Sequence, residues 1–503
     1  MNISMLLDMA ATGMGDRAGV GRSGSGSTYA TMLEHARRMA VVISSRGAER
    51  VAYVGLNSDI VPTLLFASAA AGVPFAPINY RLADDRLRAV LAMTAPSIAV
   101  VDDEVRPRVE GIADVTVLSC LELLRAAALD EPHDQAEVDP DDVAIWLFTS
   151  GTSGDPKAAL LRHRHLVSYV LSTVDFMAAE VDESTLVSVP AYHVAGVATI
   201  LSSTYSGRRL VYLPQFAPDR WVELAEQESI THAMVVPTML GRILDAIEAS
   251  EASLKHLRHL SYGGGRMPLS TIERAMDLLP HVDFVNAYGL TETSSTVAVL
   301  SPEDHRIAAA SNDPAVRARL VSVGRPLPTL ELEIRDPIGQ VVRRGESGEI
   351  YVRGDQIAGE YRGRSALTSD GWFATNDGGH LDDAGFLFVE GRLDDVIVRG
   401  GENLSPGEIE DVLLMHPAVA EAGVTGIPSI EWGESVAAAV VLKDGSSATP
   451  ADLRAWVRER LRSARTPTTI DIRDELPMSD TGKLLRRVLK HELAELAERA
   501  GDR

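Results

Sequence analysis

The chain predicts an α/β protein. A large N-terminal domain of parallel-type sheets covered by helices carries a small β-rich subdomain, and a small α+β C-terminal domain follows. Three observations carry that prediction. Up to about Val321, short apolar runs alternate with helical patterns, as in strand–helix–strand units. After Val321, apolar and polar residues alternate between turn signals. Beyond Gly391 comes a compact mixture of both, with helix starts of its own. A length of 503 residues agrees with about three units at ~150 residues each.

In order, "RVAYVGLN" reads as a buried strand, "IVPTLLFASAAAG" as a helix ending at Gly72, and "VPFAPIN" as a second strand. "RLADDRLRAVLAMT" is an amphipathic helix and "SIAVVDD" a third strand. The pattern resumes with "AIWLFTS", "TLVSVPA", "RLVYLP", "HAMVVPT", "HLSYGGG" and "VDFVNAYG". "LELEIRD", "GEIYVRG" and "GFLFVEG" are the alternating strands of the β-rich subdomain, about residues 321–391. In the C-terminal domain, Ser405, Pro406 and Glu408 supply a cap, an N1 proline and an N3 acid, and Thr449, Pro450 and Asp452 repeat the device. "SVAAAVVLK" and "TTIDIRD" are strands, and a last helix follows Gly482.

Composition excludes several classes. Seventy-one acidic residues against 48 basic ones leave a net charge of −23, which repels nucleic acid and anionic membrane, so a polyanionic ligand must be met by local donors. The single cysteine, Cys120, forms no internal disulfide, and no Cys/His cluster has zinc spacing. The N-terminus lacks the basic start of a signal peptide. The longest mostly apolar stretch, residues 63–78, is shorter than the ~20 residues that span a bilayer and is broken by Gly-Val-Pro. A soluble, cytoplasmic protein is expected, with no integral membrane segment; its oligomeric state is left open.

Four stretches carry chemistry. "TSGTSGDPK" (149–157) follows a strand, where glycines let backbone N–H groups face an anion, hydroxyls add donors, and Lys157 adds charge. It is not a Walker A loop, because Pro156 stands where glycine must precede the lysine, and its composition alone also fits a surface turn. "NAYGLTETSS" (286–295) places an aromatic ring, a hydroxyl and a carboxylate after a strand; a plain strand-to-helix loop reads the same way. In the third, beginning "GWFATNDGGH", Asp377 and Arg392 are candidate ribose partners within a region that also reads as charged turns. The fourth, "LPMSDTGK", ends at Lys483, which by itself reads equally as a solvated lysine at a helix start.

Together, "TSGTSGDPK", "YGLTE", "GEIYVRG", "TND", "GRLDDVIVRGGENLSPGEIE" and "PMSDTGK" stand in the order found in the adenylate-forming enzymes. The chain resembles that superfamily over essentially its whole length, and most of all its acyl-CoA synthetases and fatty-acid–CoA ligases; peptide-synthetase adenylation domains and beetle luciferases are relatives. The resemblance implies attack of a carboxylate on the α-phosphate of ATP, release of pyrophosphate, and displacement of AMP by a thiol, usually that of CoA. Both steps concentrate negative charge, so positioned cations and donors should carry much of the catalysis.

By the same resemblance, Ser150, Gly151, Thr152, Ser153, Gly154 and Lys157 cradle the ATP phosphates, and Thr152 and Glu292 contact Mg²⁺. Tyr288 stacks on adenine beside Gly263, Gly264 and Gly265, within the ATP-binding run Asn286, Ala287, Tyr288, Gly289, Leu290 and Thr291. Asp377 accepts the ribose hydroxyls with Arg392 nearby, and Lys483 bridges the substrate carboxylate and the α-phosphate. Lys483, Glu292 and Thr152 form the catalytic set. Tyr192, His193, Val194, Gly196, Val236 and Gly264 line the acyl pocket, although a histidine in an apolar stretch also reads as a packed core residue. The domain organisation implied is 1–391, a hinge at 392–394 whose pivot residue is Asp394, and a mobile 395–503 whose loop of Arg399, Gly400, Gly401 and Glu402 lines the CoA channel.

Three residues depart from the family pattern: Ala158 and Asn376 stand where glycine is usual, and Arg266 where a small residue is common. Arg266 is expected to point to solvent. Relatives acting on malonate-like diacids carry arginine where this chain has Ala287, and "YHVAGVA" and "MVVPTML" are apolar, so the expected substrate is a hydrophobic monocarboxylate, whether fatty, aryl or alicyclic. The alternative acceptor is a carrier-protein thiol. A non-catalytic nucleotide-binding regulator is a further alternative, disfavoured because Lys483, Glu292 and Asp394 are all present.

Overall fold

The computed structural model describes residues 1–129, 136–150, 156–429, 432–461, 463–479 and 483–501. Two large sheets dominate the N-terminal part. In one, the strands Phe75–Pro77, Arg50–Val54, Ser97–Val101 and Val115–Ser119 are parallel, as the strand–helix alternation predicts. All five residues of Ser97–Val101 are buried, as expected of a parallel strand covered on both faces. The helix Ile60–Ala70 is buried from Val61 onward, which is why its sequence is apolar around its whole circumference.

The second sheet has nine strands. Its parallel run joins Asp283–Leu290, His259–Gly263, His232–Val235, Ser184–Val187 and Arg209–Tyr212. A smaller antiparallel sheet of Glu331–Arg335, Gly348–Arg353, Phe373–Leu381 and Leu387–Arg392 forms the β-rich part, with Ile334, Ile350, Val352, Phe373 and Leu387 in its core. From Ile397 onward, five strands and the helices Pro406–Leu414, Pro450–Arg460 and Arg486–Gly501 enclose buried clusters of their own.

The large sheets are not purely parallel, and two of their antiparallel pairings fall where the chemical motifs lie. Val143–Ser150 pairs antiparallel with Pro156–Arg162, and Ser150 faces Pro156 in register. Asp283–Leu290 turns back antiparallel onto Ser295–Leu300 through the short 3₁₀ turn Thr291–Thr293. Both motif loops therefore connect hairpins rather than a strand to a helix. Ala158 needs no glycine-like freedom, because it sits in an extended strand opposite Phe148.

One helix start behaves as expected and one does not. Thr449 accepts from the Asp452 N–H at 3.2 Å while Asp452 accepts from the Thr449 N–H at 2.9 Å, a complete capping box. Ser405 does not cap its helix; its hydroxyl donates to the Glu390 carbonyl at 2.8 Å, tying the start of Pro406–Leu414 to the strand Leu387–Arg392.

Candidate active site

The site assembles where the carboxyl ends of His259–Gly263 and Asp283–Leu290 meet the strand Phe373–Leu381 and the hairpin that carries Lys483. Gly263 pairs with Ala287, and a β-carbon at Gly263 would overlap the Ala287 carbonyl, so only glycine permits this approach of the two strands. Gly264 has φ +78°; a β-carbon there would lie 3.7 Å from both the Lys483 Cε and the Val236 Cγ1. An ammonium stem, a bare backbone and an apolar wall thus converge on one point.

Around that point stand the polar groups. The Tyr288 hydroxyl donates to Asp377 Oδ2 at 2.6 Å, and Arg392 Nε lies 3.1 Å from Asp377 Oδ1. Asp377 and Arg392 are register partners on adjacent antiparallel strands, which sets their approach, and Arg392 also donates to the Thr375 carbonyl at 2.8 Å. Asp377 is only 5% exposed, and burial holds its carboxyl above the ordinary value, opposed by Arg392, the Tyr288 hydroxyl and Lys483. Glu292 accepts from the Tyr361 hydroxyl, and its carbonyl accepts from the Ala358 and Gly359 N–H groups, each at 2.9 Å.

Lys483 is an exposed residue whose side chain runs past Gly264. Desolvation, then Arg392, lower its ammonium below the usual lysine value, while Asp377 and Glu292 pull the other way. Its N–H donates to the Ser479 hydroxyl at 3.0 Å, and its carbonyl accepts from the Ser479 N–H at 2.7 Å.

Of the other residues singled out by sequence, Lys157 lies in the strand Pro156–Arg162 opposite Thr149. Ser150 ends the strand before it, its side chain outside the described residues, and Gly151, Thr152, Ser153 and Gly154 also lie outside them. The Asn286 side chain turns to the protein, donating to the Ser322 carbonyl at 3.0 Å. Gly289 allows the hairpin to close, since a β-carbon there would overlap the Ser295 carbonyl. His193 is the residue before the helix Val194–Ser206, its ring 4.7 Å from that of Tyr192; Val236 is buried. Gly196 is explained by packing, because a β-carbon there would overlap the Pro190 carbonyl. Gly400 and Gly401, both at positive φ, turn the hairpin between Ile397–Arg399 and Glu402–Leu404. That hairpin bonds to Trp432, Ala464 and Arg465, all C-terminal.

Two departures from the family pattern acquire a physical reason. Asn376 has φ +60°, a left-handed conformation that asparagine tolerates better than other residues with a β-carbon. Its side-chain amide donates to Asp394 Oδ2 at 2.8 Å. Arg266, expected to point to solvent, is exposed but also pairs with Asp411 on the helix Pro406–Leu414. Tyr361 was not visible as a site residue in the sequence, because only the pairing of Glu360–Tyr361 with Pro156–Arg162 brings it to Glu292.

The donor set also bears on metal binding. Among the described residues no three His, Cys, Asp or Glu side chains converge as a cage. Glu292 fits a magnesium ion that arrives on phosphates, since that ion needs only one or two protein carboxylates.

The family model for AMP-binding enzymes matches residues 7–362, and that for the AMP-binding enzyme C-terminal domain matches 408–483. A feruloyl-CoA synthase from an Amycolatopsis species is 33% identical over 475 residues, covering 93% of this chain and 94% of that one. A fatty acid–[acyl-carrier-protein] ligase from Streptomyces coeruleorubidus is 31% identical over 486 residues, covering 92% and 91%. Among solved structures, ATP-bound MatB from Rhodopseudomonas palustris superposes with a TM-score of 0.87 at 27% identity, covering 99% of this chain and all of that one. With the motifs in order, a lysine in the cleft and matches over both parts of the chain, this protein belongs to the AMP-binding family of adenylate-forming acid–thiol ligases.

Proposed function

We propose that the protein activates a hydrophobic monocarboxylic acid with Mg·ATP, forming an acyl-adenylate and pyrophosphate, and then transfers the acyl group to CoA with release of AMP. The observation that carries this reading is the convergence of Lys483 and Val236 on Gly264. An acid whose apolar body lies along Val236, with Val194, Tyr192 and His193 beyond, would present its carboxylate to the Lys483 ammonium. Asp377 would accept from the ribose hydroxyls, oriented by Tyr288 and Arg392, and the Tyr288 ring would lie against adenine. Ser150, Gly151, Thr152, Ser153, Gly154 and Lys157 would hold the phosphates. Thr152 and Glu292 would contact magnesium, which supplies charge neutralisation to those phosphates. Lys483 would offset negative charge as it develops between carboxylate and α-phosphate, where a fixed cation counts most.

Residues 395–503 would move as a unit about 392–394. In the posture described here Lys483 is in the cleft while the Arg399–Glu402 hairpin is engaged with C-terminal residues, which suits the first half-reaction. A second posture would bring that hairpin to the CoA channel. A carrier-protein thiol is the second reading of the acceptor, favoured by the likeness to the Streptomyces coeruleorubidus ligase.

The test is acid-dependent pyrophosphate release from Mg·ATP over fatty, aryl and alicyclic acids, with and without CoA. Multiple turnover only with CoA is expected. A single turnover despite CoA would move the acceptor to a carrier protein, and no release with any acid would overturn the activity.

A further inference from the structure

The lysine in the cleft sits on a short hairpin, held locally by Ser479 and by the pairing of Met478 with Leu484. A chain of polar contacts also runs from the large domain to the segment that carries the hairpin. Arg266 lies two residues beyond Gly264, on the loop that also forms the cleft floor. Its guanidinium reaches the helix Pro406–Leu414 and pairs with Asp411. Gly407 has no side chain beneath the same guanidinium, which lies where a β-carbon there would stand. Gly407 and Asp411 are four residues apart and share one helix face.

The residue before Asp411 on that helix, Glu410, faces inward. Arg486 donates to its Oε2 at 2.9 Å, and the Val424 N–H donates to its Oε1 at 2.8 Å. Arg486 stands three residues after Lys483, at the start of the last helix, and lies 3.4 Å from Asp395 beside the hinge. One short helix therefore links a large-domain arginine on its outer face to the segment carrying Lys483 on its inner face.

We propose that Arg266 is a positioning residue of the adenylation step: paired with Asp411 and seated over Gly407, it fixes the helix Pro406–Leu414 against the large domain and, through Glu410 and Arg486, places the Lys483 ammonium in the cleft. The inference rests on the role given to Lys483 above. It gives Arg266 a task in the first half-reaction alone, since the second needs Lys483 withdrawn.

The experiment compares the full-length protein with Arg266→Ala, Arg266→Lys and Asp411→Asn. Three quantities are read: acid-dependent ATP–pyrophosphate exchange, thioester formation from supplied acyl-adenylate and CoA, and the titration of Lys483. The chain has only five lysines, so ¹³C reductive methylation gives few resonances, and Lys483→Arg assigns the one of interest. Exchange should fall about tenfold to a hundredfold in Arg266→Ala. Thioester formation should stay within about twofold, and the Lys483 titration should rise towards the ordinary lysine value. Asp411→Asn should behave in the same direction, and Arg266→Lys should recover part of the loss. Equal losses in both half-reactions, or an unmoved Lys483 titration in Arg266→Ala, would overturn the proposal. If no acid supports exchange, the activity reading fails, and the Lys483 titration still decides whether Arg266 places that lysine.

Discussion

The Tyr288 hydroxyl donates to Asp377 Oδ2 at 2.6 Å, joining the turn motif of one sheet to the aspartate of another. The same carboxylate meets Arg392 through its other oxygen, so Asp377 is oriented from both sides before any nucleotide arrives.

Asp377→Asn should raise the KM for ATP by about tenfold to a hundredfold, as loss of charged hydrogen bonds worth ~1.5–3 kcal/mol predicts. It should also raise Tm at neutral pH. Burial holds this carboxyl above its unfolded value. Such a group contributes stability below the unfolded value and loses it as pH rises through the folded one, so ionised Asp377 is a cost to the apo fold near pH 7. Calorimetry with and without ATP checks both: the variant should melt higher alone and gain less from ATP.

Asn376 occupies a left-handed backbone position and reaches Asp394. Asn376→Ala should cost ~1–2 kcal/mol from the misplaced β-carbon. Asn376→Gly should cost less, although it equally removes the contact with Asp394. Denaturant unfolding of the two variants separates conformation from hydrogen bonding; equal losses would assign the effect to the Asp394 contact alone.

Lys483→Ala should lower pyrophosphate exchange by about a hundredfold or more and leave thioester formation from supplied acyl-adenylate much less affected. Asp394→Pro should do the reverse. Proline fixes φ near ~−65° in the turn Leu393–Asp395, holding one posture. Exchange should persist while thioester formation falls. Rapid-quench assays of each half-reaction read this crossed pattern, and parallel losses in either variant would count against it.

Asp411 carries a pH signature. Burial pushes its carboxyl up to about 6; Arg266 opposes the shift, and Glu410 and Glu408 add to it. A carboxyl raised on folding stabilises below its unfolded value and loses that contribution as pH climbs through the folded one. The Tm difference between wild type and Asp411→Asn should therefore change between pH ~4 and 6, with the wild type losing ground on the alkaline side. Pyrophosphate exchange should run the other way, weakening as pH falls through the same range because the partner of Arg266 loses its charge. Melting curves and exchange rates from pH ~4 to ~7 test both signs.

Much of the fold and part of the site are legible in the sequence for a local reason. A buried parallel strand needs a continuous apolar run, as in Ser97–Val101, and a helix covered on all sides needs an apolar circumference, as in Ile60–Ala70. Gly263 and Gly289 are dictated by backbone approach, so the motifs that contain them can be read as letters. The capping box of Thr449 and Asp452 is likewise complete within four residues.

Tertiary structure decided what depends on partners far along the chain. Ser405 has the composition of a cap, but its hydroxyl donates to the Glu390 carbonyl because the strand Leu387–Arg392 ends there. Tyr361 meets Glu292 across 69 residues, and Arg266 meets Asp411 across 145. The sequence by itself determined which groups the chemistry has at hand: a lysine, two acids, an arginine and a glycine-rich loop. The packing of the two units decided which of them meet and in what posture, because an ion pair or hydrogen bond is fixed by position in space, on which local pattern is silent.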